Sequence, residues 1–372
     1  MIPIFKPCYG EAELEALREP FETGWLGLGP KTALFEQKFA AYLGAKHAVA
    51  LNSCTAALDL AFKIIGIEGS EVISTPMTFV STNHAILYNG GTPVFCDIEE
   101  DTLCIDAGKI EALVTPKTRA LAIVHFGGVA CDMERILDIC KRRNLVLVED
   151  CAHACGGKYH GRPLGTFSDY ACFSFQAVKN LAVGDGGMLV TGSDEINARS
   201  RSLRWMGINK DTWAREDPAG KRYAWAYSVD ELGYKMHMND ISAAIGLVQL
   251  EKLETMNARR REICRRYVEA FSDIGEIAVP RYRTGIGESA CHNFVIRTPR
   301  RDWLHDELQK LGISTGVHYI PNNHYAMYRS CRGATPVAER VWQQLLTLPV
   351  YPDLTDDQLK YVIDSVRKLM EG

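Results

Sequence analysis

The chain has 372 residues, of which 47% are hydrophobic and 24% charged, and its formal net charge is −4. This composition is typical of a globular protein, and the length fits one large and one smaller domain. The slightly negative charge gives no sign of a nucleic-acid or membrane-surface partner, and no apolar run reaches the roughly 18 residues of a membrane span. Residues 1–6 lack a basic stretch followed by an apolar one, so we expect no signal peptide and a cytoplasmic protein.

The twelve cysteines are scattered singly, mostly inside apolar stretches. This distribution favours buried reduced thiols over a disulfide framework. Cys151, His153 and Cys155 stand at Cys-x-His-x-Cys spacing, which could ligate zinc. Structural zinc sites usually use other spacings, and the sequence offers no second pair of ligands. We therefore predict no metal site.

The N-terminal part is predicted to be helical on either side of a glycine-rich loop. Helical spacing covers 11–22 and 32–43, and Gly44 is typical of a helix C-terminus. The loop between the helices, 24–32, superficially resembles a phosphate-binding loop. Pro30 lies between its last glycine and its lysine, and no strand precedes it, so the P-loop pattern fails.

From residue 47 the chain alternates apolar strands with amphipathic helices. The predicted strands are 47–51, 71–74, 93–96, 120–124, 145–149, 172–175 and 188–191, and the helices are 56–65, 80–88, 106–114 and 132–143. Continuous apolar strands in this pattern predict a mostly parallel sheet with helices on both faces. Ligands of such sheets bind at the carboxyl ends of strands, so the residues that follow each strand are candidate site residues.

The second half of the chain predicts a smaller α+β unit. Residues 199–225 are polar, aromatic and irregular, which indicates a functional loop rather than a linker. One long helix is predicted over 240–272. The elements that follow are strands 293–296 and 315–319 and helices 301–311, 338–346 and 355–370. We therefore divide the chain into a large domain, 1–240, and a small domain, 241–372.

Lys179 follows a short buried strand closely enough to lie in a dry pocket. Lysines are usually solvated, and a desolvated lysine has a lowered pKa, so its free amine can attack a carbonyl and form a Schiff base. Pyridoxal phosphate uses such a lysine, together with an acidic or basic partner for its pyridine nitrogen and a phosphate cup. Asp150, directly after strand 145–149, suits the nitrogen as an ionised carboxylate, although a turn cap explains it equally well in isolation.

The predicted cup is formed where residues 52–55 lead into a helix, because the first N–H groups of a helix and its dipole attract anions. Thr55 would bind the phosphate with these amides, and Ser174 and Gln176 would complete the cup; alone, Thr55 resembles an ordinary helix cap. Phe79 lies where an aromatic ring could stack on the pyridine, although a core position fits as well.

A polar aromatic cluster follows the predicted strand 315–319. It is either a surface turn or the wall of a pocket whose hydroxyls and amides suit a sugar. Its members are His318, Tyr319, Asn322, Asn323, His324 and Tyr325.

Five blocks of the sequence occur in the order seen in the DegT/DnrJ/EryC1/StrS sugar aminotransferases, which the chain therefore resembles. They are Asn52–Leu58, Thr75–Thr82, Glu149–Ala154, Phe173–Asn180 and Met238–Gly246. The resemblance spans nearly the whole chain. It implies the α/β fold of a fold type I aminotransferase, with a large domain built on a mostly parallel seven-stranded sheet between helices, and a smaller α+β C-terminal domain.

The resemblance also implies roles for individual residues. Lys179 is the catalytic lysine and proton shuttle, and Asp150 is the partner of the pyridine nitrogen. Cofactor contacts are implied for Ser53, Cys54, Thr55, Phe79, His153, Ser174 and Gln176, and substrate contacts for Trp25, His318, Tyr319, His324 and Tyr325. Asn239 matches a position that reaches the phosphate from the neighbouring subunit, which implies a homodimer with shared active sites.

Three positions depart from the pattern of the family. Cys54 stands where glycine is common, His153 where glutamine is frequent and Gln176 where histidine is common. A lysine at position 179 argues against the relatives that carry histidine there and act as dehydratases. We therefore expect amino transfer with altered details of the phosphate cup and of the contact to the ring hydroxyl.

The implied reaction moves an amino group from L-glutamate to a nucleotide-linked keto sugar, with a 4-keto-6-deoxyhexose as the first expectation. A keto-cyclitol, a 3-keto sugar or a keto-octulosonate is the alternative acceptor. A non-enzymatic pyridoxal-binding regulator and a dehydrogenase are alternatives of other classes, and the missing GxGxxG after a strand counts against the dehydrogenase. Arg204 is the predicted contact for a glutamate carboxylate.

Overall fold

The computed structural model describes residues 1–209, 227–282 and 286–371. In these ranges the helices are α1 (Glu11–Ala16), α2 (Arg18–Thr23), α3 (Pro30–Leu43), α4 (Cys54–Ile65), α5 (Val80–Tyr88), α6 (Ala107–Ile110), α7 (Met133–Arg143), α8 (Asp194–Leu203), α9 (Asp240–Phe271), α10 (Arg301–Lys310), α11 (Pro336–Val341) and α12 (Asp356–Glu371). The strands are β1 (His47–Leu51), β2 (Glu71–Ser74), β3 (Thr92–Phe95), β4 (Thr118–Val124), β5 (Val146–Asp150), β6 (Lys158–Tyr159), β7 (Arg162–Pro163), β8 (Ala171–Ser174), β9 (Gly187–Thr191), β10 (Gly287–Glu288), β11 (Phe294–Arg297) and β12 (Leu345–Leu348).

Seven strands form one sheet in the order β1-β9-β8-β5-β4-β2-β3. The strand β9 is antiparallel to both of its neighbours, and the remaining neighbours are parallel. The prediction of a mostly parallel seven-stranded sheet is therefore confirmed. The carboxyl ends of β1, β2, β3, β4, β5 and β8 meet at one edge, where a ligand is expected.

Helices cover both faces of the sheet, so its strands are buried on both sides. On β1, Ala48 and Ala50 belong to the core on the side of α3, whereas Val49 and Leu51 belong to the core on the side of α4. Side chains alternate between the faces of a strand, so a strand buried on both faces needs apolar residues throughout. This requirement explains the continuous apolar runs in the sequence.

The second half of the described chain builds another core around the antiparallel pair β11–β12, with α9, α10 and α12 packed on it. The N-terminus also joins this core, because Ile2 is buried there and pairs with Ile313. The division of the chain at residue 240 stays a prediction. No helix of the described ranges combines the length and the apolar character needed to cross a membrane.

Several predicted elements differ from the structure. The predicted helix 338–346 ends at Val341, and its last residues form β12. The predicted strand 315–319 is wrong, since only Gly316 pairs there, with Thr347 of β12. An apolar run as short as Leu345–Leu348 fits either a buried helix or a strand, so periodicity could not decide between them.

Three other predicted segments differ less from the observed structure. The helix expected over 11–22 is divided into α1 and α2, and the helix expected over 106–114 shortens to α6 followed by a 3₁₀ turn. The segment 199–225 begins within α8, and its part from 210 onward lies outside the described residues.

Candidate active site

Lys179 and Asp150 lie together at the carboxyl edge of the sheet. Lys179 follows β8 by a short turn, and Asp150 is the last residue of β5, the neighbour of β8. Burial lowers the pKa of Lys179 to about 8, although the charge of Asp150 favours its protonated form. Desolvation therefore outweighs the charge attraction, and a substantial fraction of the amine is neutral near neutral pH.

Asp150 is only 3% exposed, and both of its carboxylate oxygens accept hydrogen bonds. Oδ2 accepts from the hydroxyl of Thr82 at 2.7 Å, and Oδ1 accepts from the backbone N–H of Ala152 at 3.0 Å. Because Thr82 donates its proton to Asp150, the 2.9 Å contact between the Thr78 and Thr82 hydroxyls has Thr78 as its donor. Burial raises the pKa of Asp150, and these donors act in the opposite direction.

The N-terminus of α4 offers an anion site beside this pair. Ser53 caps the helix by accepting from the N–H of Ala56 at 3.0 Å, which leaves the first-turn amides of Cys54 and Thr55 free of that cap. Gly187 of β9 packs so closely on this turn that a Cβ atom there would lie 2.3 Å from the carbonyl carbon of Ser53. Only glycine allows this approach of the two backbones.

Cys54 directs its side chain away from this anion site. Its thiol lies 3.4 Å from the carbonyl oxygen of Cys172 and 3.9 Å from Oδ1 of Asp150. Burial raises the pKa of the Cys54 thiol well above its ordinary value. Cys54 can therefore contribute its backbone amide to a phosphate, while its neutral thiol packs beside Asp150.

The turn that carries Lys179 is held by its own polar groups. Ser174 accepts from the N–H of Gln176 at 3.4 Å, and the side chain of Gln176 accepts from the N–H of Val178 at 3.0 Å. The N–H of Lys179 donates to the carbonyl of Gln176 at 2.8 Å. As an acceptor, Ser174 keeps its own proton for a ligand.

His153 lies beside Lys179 and Asp150 with both ring nitrogens engaged by protein groups. Nδ1 faces the N–H of Gly127 at 3.3 Å, and Nε2 lies 3.2 Å from the hydroxyl of Tyr319. Burial, with the nearby charge of Lys179, holds the pKa of His153 well below its ordinary value. The ring is therefore neutral, and neither nitrogen is free to bind a metal.

Tyr319 reaches this site because its loop is tied to the loop after β2. Asn322 donates to the carbonyl of Thr78 at 2.8 Å and accepts from Asn83 at 2.8 Å. The ring of Tyr319 consequently lies 6.2 Å from the ring of Phe79, which is 58% exposed at the edge of the site. The sequence placed Asn322 in the polar cluster that could form a pocket wall, but it did not point to Asn83.

His318, the residue before Tyr319, contacts the N-terminal segment and β12. Its Nδ1 lies 2.8 Å from the hydroxyl of Thr347, and its ring meets Phe5 edge-on at 5.6 Å. Burial and the charge of Lys179 lower the pKa of His318 to about 4. The structure thus joins His318 and Tyr319 to the lysine site.

The other predicted substrate residues have contacts elsewhere. His324 forms a 2.7 Å pair with Glu339, and its ring packs on Trp342. Trp25 donates to the carbonyl of Leu28 at 3.2 Å within its own loop. Tyr325 is 37% exposed. Asn239 is exposed and caps α9 by accepting from the N–H of Ser242 at 2.9 Å.

Arg204 cannot serve as the predicted contact for glutamate. It is 1% exposed, forms an ion pair with Glu36 and donates to the carbonyl of Ala50 at 2.9 Å. Such a paired and buried guanidinium supports the packing of α8 and α3 on β1. The sequence places Arg204 in a polar segment, but it does not reveal that Glu36 is the ion-pair partner of Arg204.

Asp240 is the residue that organises the glycine-rich loop, and the sequence did not reveal it. Its carboxylate accepts from the N–H groups of Gly29, Lys31 and Thr32 at 2.9–3.0 Å, and from the hydroxyl of Thr32 at 2.7 Å. The loop that superficially resembles a phosphate site therefore binds an internal carboxylate at the N-terminus of α3.

The Cys-x-His-x-Cys spacing does not assemble one site. In the described residues, the thiol of Cys151 lies with His125 and Glu149, whose ligand atoms are within 4.8 Å of one another. Glu149 is already bound by the backbone N–H groups of Gly165 and Phe167 and the neighbouring serine. This cluster connects β5 to the loop before β8.

Comparisons with known proteins show the family of this chain. The model of the DegT/DnrJ/EryC1/StrS aminotransferase family matches residues 7–367. The chain is 42% identical over 383 residues to the spore coat polysaccharide biosynthesis protein SpsC of Bacillus subtilis, covering 100% of this chain and 97% of that protein.

Two solved structures extend the likeness to the fold. CalS13 from Micromonospora echinospora has a TM-score of 0.91 at 30% identity, covering 99% of this chain and 100% of that one. Spr1654 from Streptococcus pneumoniae, in its PMP form, has a TM-score of 0.93 at 31% identity, covering 100% and 99%; it is also known in a PLP form.

The fold and these comparisons define a fold type I aminotransferase that depends on pyridoxal phosphate. The chain belongs to the DegT/DnrJ/EryC1/StrS aminotransferase family. Its residues fit the cofactor: a carboxylate buried among donors, a lysine of lowered pKa, and a helix N-terminus whose first amides are not used by the Ser53 cap.

Proposed function

We propose that the protein transfers an amino group from L-glutamate to a nucleotide-linked keto sugar, with a 4-keto-6-deoxyhexose as the first candidate acceptor. The observation that carries the proposal is the partly neutral Lys179 amine beside the buried carboxylate of Asp150. The sugar class is supported by the names of two relatives, the polysaccharide biosynthesis protein SpsC and the sugar aminotransferase CalS13. The product would accordingly be an amino sugar of a surface polysaccharide.

Asp150 and Lys179 divide the chemistry between them in this proposal. Bound pyridoxal phosphate supplies an electron-withdrawing ring, and Asp150 holds the proton of its pyridine nitrogen. The neutral Nζ of Lys179 would take a proton from the carbon that carries the amino group and deliver it to the cofactor within the first half-reaction, and it would move a proton in the opposite direction in the second half-reaction. A pKa of about 8 suits a base that works near neutral pH.

The phosphate is proposed to bind the amides of Cys54 and Thr55 and the hydroxyl of Ser174. Asn239 of the partner subunit completes the cup in a homodimer with shared sites. Two observations support this arrangement: Asn239 is exposed in the single chain, and Phe79 leaves an apolar ring at the edge of the site. Exposed apolar surface beside a polar site is typical of an interface.

Tyr319 and His318 are proposed to border the sugar, and Phe79 is proposed to stack on the pyridine ring of the cofactor. The three residues lie close together. His318 is close enough to Lys179, and Tyr319 is close enough to Asp150, for an electrostatic interaction. Trp25, His324 and Tyr325 would act further along a long nucleotide-linked substrate. We also propose a cytoplasmic location, because the cysteines are scattered singly through the sequence.

The donor and acceptor can be tested separately with the purified protein. Glutamate should convert the PLP form to the PMP form, and a nucleotide-linked 4-keto sugar should restore the PLP form, with absorbance as the measurement. Restoration by a 3-keto sugar, a keto-cyclitol or a keto-octulosonate alone would replace the proposed acceptor. Failure of glutamate to convert the bound cofactor would favour a pyridoxal-binding regulator.

A further inference from the structure

The hydrogen bonds of His153 determine which of its nitrogens carries the proton. Nδ1 lies 3.3 Å from the backbone N–H of Gly127, which can only donate, so Nδ1 is the acceptor. A neutral imidazole has one donor and one acceptor, so the proton resides on Nε2. Nε2 therefore donates to Tyr319 Oη, which lies 3.2 Å away.

The orientation of the His153 ring is fixed by a stack of aromatic rings. His292 covers one face of His153, with ring centroids 4.4 Å apart and planes inclined by 22°. Phe5 covers the far face of His292 at 5.5 Å and 7°. The N-terminal segment thus supports the active-site imidazole from behind, and His153 cannot rotate without disturbing both rings.

His292 is fixed in turn by Asn180, the residue after Lys179. The amide nitrogen of Asn180 donates to Asn257 at 2.8 Å and to the carbonyl of Ala290 at 2.7 Å. Both amide protons are used, so the Asn180 oxygen must face His292, whose Nδ1 donates to it at 3.0 Å. Burial keeps the pKa of His292 well below its ordinary value.

We propose that Tyr319 Oη is the hydroxyl that donates to a substrate or cofactor oxygen in this site, and that His153 and His292 are positioning residues that aim it. Tyr319 accepts from His153, so its own proton must be directed to another acceptor. His153 itself has no nitrogen left for the ring hydroxyl of the cofactor. The ligand atom is an anionic or carbonyl oxygen, and the inference rests on the function proposed above.

The proton positions can be measured without any catalytic assay. In ¹⁵N-histidine NMR of the full-length holoenzyme, His153 should be a neutral Nε2–H tautomer, and His292 a neutral Nδ1–H tautomer. Both should stay neutral across the range in which an ordinary histidine, of pKa about 6.5, becomes protonated. Comparison with His153→Gln and His292→Phe assigns the signals. An Nδ1–H tautomer of His153, or its protonation near that ordinary pKa, would overturn the proposal whatever the enzyme's activity.

A double-mutant cycle tests the functional half of the inference. Tyr319→Phe removes the hydroxyl and His153→Phe removes its donor while keeping an aromatic ring. Each should slow amino transfer by about tenfold, the effect of one lost hydrogen bond to a charged group. The double variant should be no slower than Tyr319→Phe alone, because His153 acts through Tyr319. Multiplied losses would show that the two residues act separately and would refute the proposal.

The two half-reactions identify the oxygen. A loss in both half-reactions assigns the oxygen to the cofactor, and a loss confined to one half-reaction assigns it to the substrate of that half-reaction, glutamate or the keto sugar. Each of these results supports the proposal. Tyr361→Phe is the matched control, since it removes an exposed hydroxyl that donates to the carbonyl of Leu311, the residue after α10. Unchanged rates for Tyr319→Phe in both half-reactions would overturn the inference. The proposed function is tested separately by Lys179→Ala, which should lose activity in both half-reactions.

Discussion

The environment of Lys179 decides how its amine behaves. Desolvation favours the neutral amine, while the charge of Asp150 favours the ammonium, and the outcome is a pKa of about 8. Asp150 shows the converse balance, because burial raises its pKa while Thr82 and Ala152 stabilise the charge. The pair therefore combines an amine that can deprotonate with a carboxylate supplied with donors.

The rate at which the cofactor-free protein captures pyridoxal phosphate should depend on pH through Lys179. Only the neutral amine attacks an aldehyde, so the rate should rise as pH increases and level off above about 8. Stopped-flow absorbance measures this rate, and Lys179→Arg provides a control that stays charged. A rate that still climbs steeply to the pKa of a solvated lysine, about 10.4, would contradict the proposed environment.

Thr82→Val should weaken catalysis through Asp150. The change removes the 2.7 Å hydrogen bond to Oδ2 with little change of shape, so the pKa of Asp150 should rise further. We expect the acid limb of the pH–rate profile to move to higher pH and the maximal rate to fall by about tenfold. Thr78→Val, one hydroxyl further away, should have a smaller effect. An identical acid limb in Thr82→Val would refute this role.

Single positions were predictable where the strand pattern located them. Lys179 and Asp150 follow apolar strands in the sequence, and the structure brings them to one edge. Asp240 was missed because its loop partners are over 200 residues away, and Arg204 was misassigned because its partner Glu36 is 168 residues away. Sequence patterns reveal local periodicity, but they do not pair distant charges.

The elements around the proposed phosphate cup are held by one close contact. The antiparallel strand β9 brings Gly187 against the turn before α4, so the helix N-terminus faces the end of β8. This arrangement depends on a glycine, whose role was invisible in the sequence because the contact joins separate strands. The predicted anion site at α4 needs this strand as its wall.

Gly187→Ala should therefore reduce the affinity for the cofactor. An added Cβ would lie 2.3 Å from the backbone of Ser53 and push the turn away from β9. We expect the Kd for pyridoxal phosphate to rise by about tenfold or more, measured by equilibrium titration of the cofactor-free protein. Gly275→Ala is the control, because its Cβ would meet no atom within 4 Å. Equal affinities for the two variants would contradict this account.

Most elements of the large sheet could be predicted, whereas the C-terminal elements were less certain. Parallel strands alternate regularly with helices, so the apolar runs of the strands and the helical spacing between them support the same prediction. By contrast, the segment 338–346 contains the end of a short helix and the start of β12, and no change in the polarity of the sequence marks the boundary between them. One helix was therefore predicted for two elements. The pairing of β12 with β11 depends on contacts that local sequence does not encode.

At the scale of the whole molecule, the site depends on parts of the chain that are far apart in sequence. Phe5 supports His292, and Asn322 ties the Tyr319 loop to residues near Phe79. The family resemblance predicted the fold and the cofactor, which the comparisons confirm. It could not predict the support from residue 5, because that contact requires the N-terminus to pair with Ile313.

The proposed homodimer predicts complementation between two defective subunits. Lys179→Ala should abolish transfer and Asn239→Ala should weaken it, whereas a mixed dimer contains one site with both native residues. After subunit exchange, random pairing should restore about a quarter of the native activity. Two portions of the same variant, treated identically, are the control. No recovery in a mixture with proven exchange would show that the sites are not shared.

The most direct test of the account is to locate the cofactor on the chain. The holoenzyme would be reduced with borohydride, digested and examined by mass spectrometry, with Lys179→Ala treated in parallel. The account predicts that the phosphopyridoxyl group is attached to Lys179, beside Asp150, and is absent from the variant. Attachment to another lysine, or equal labelling of the variant, would contradict it.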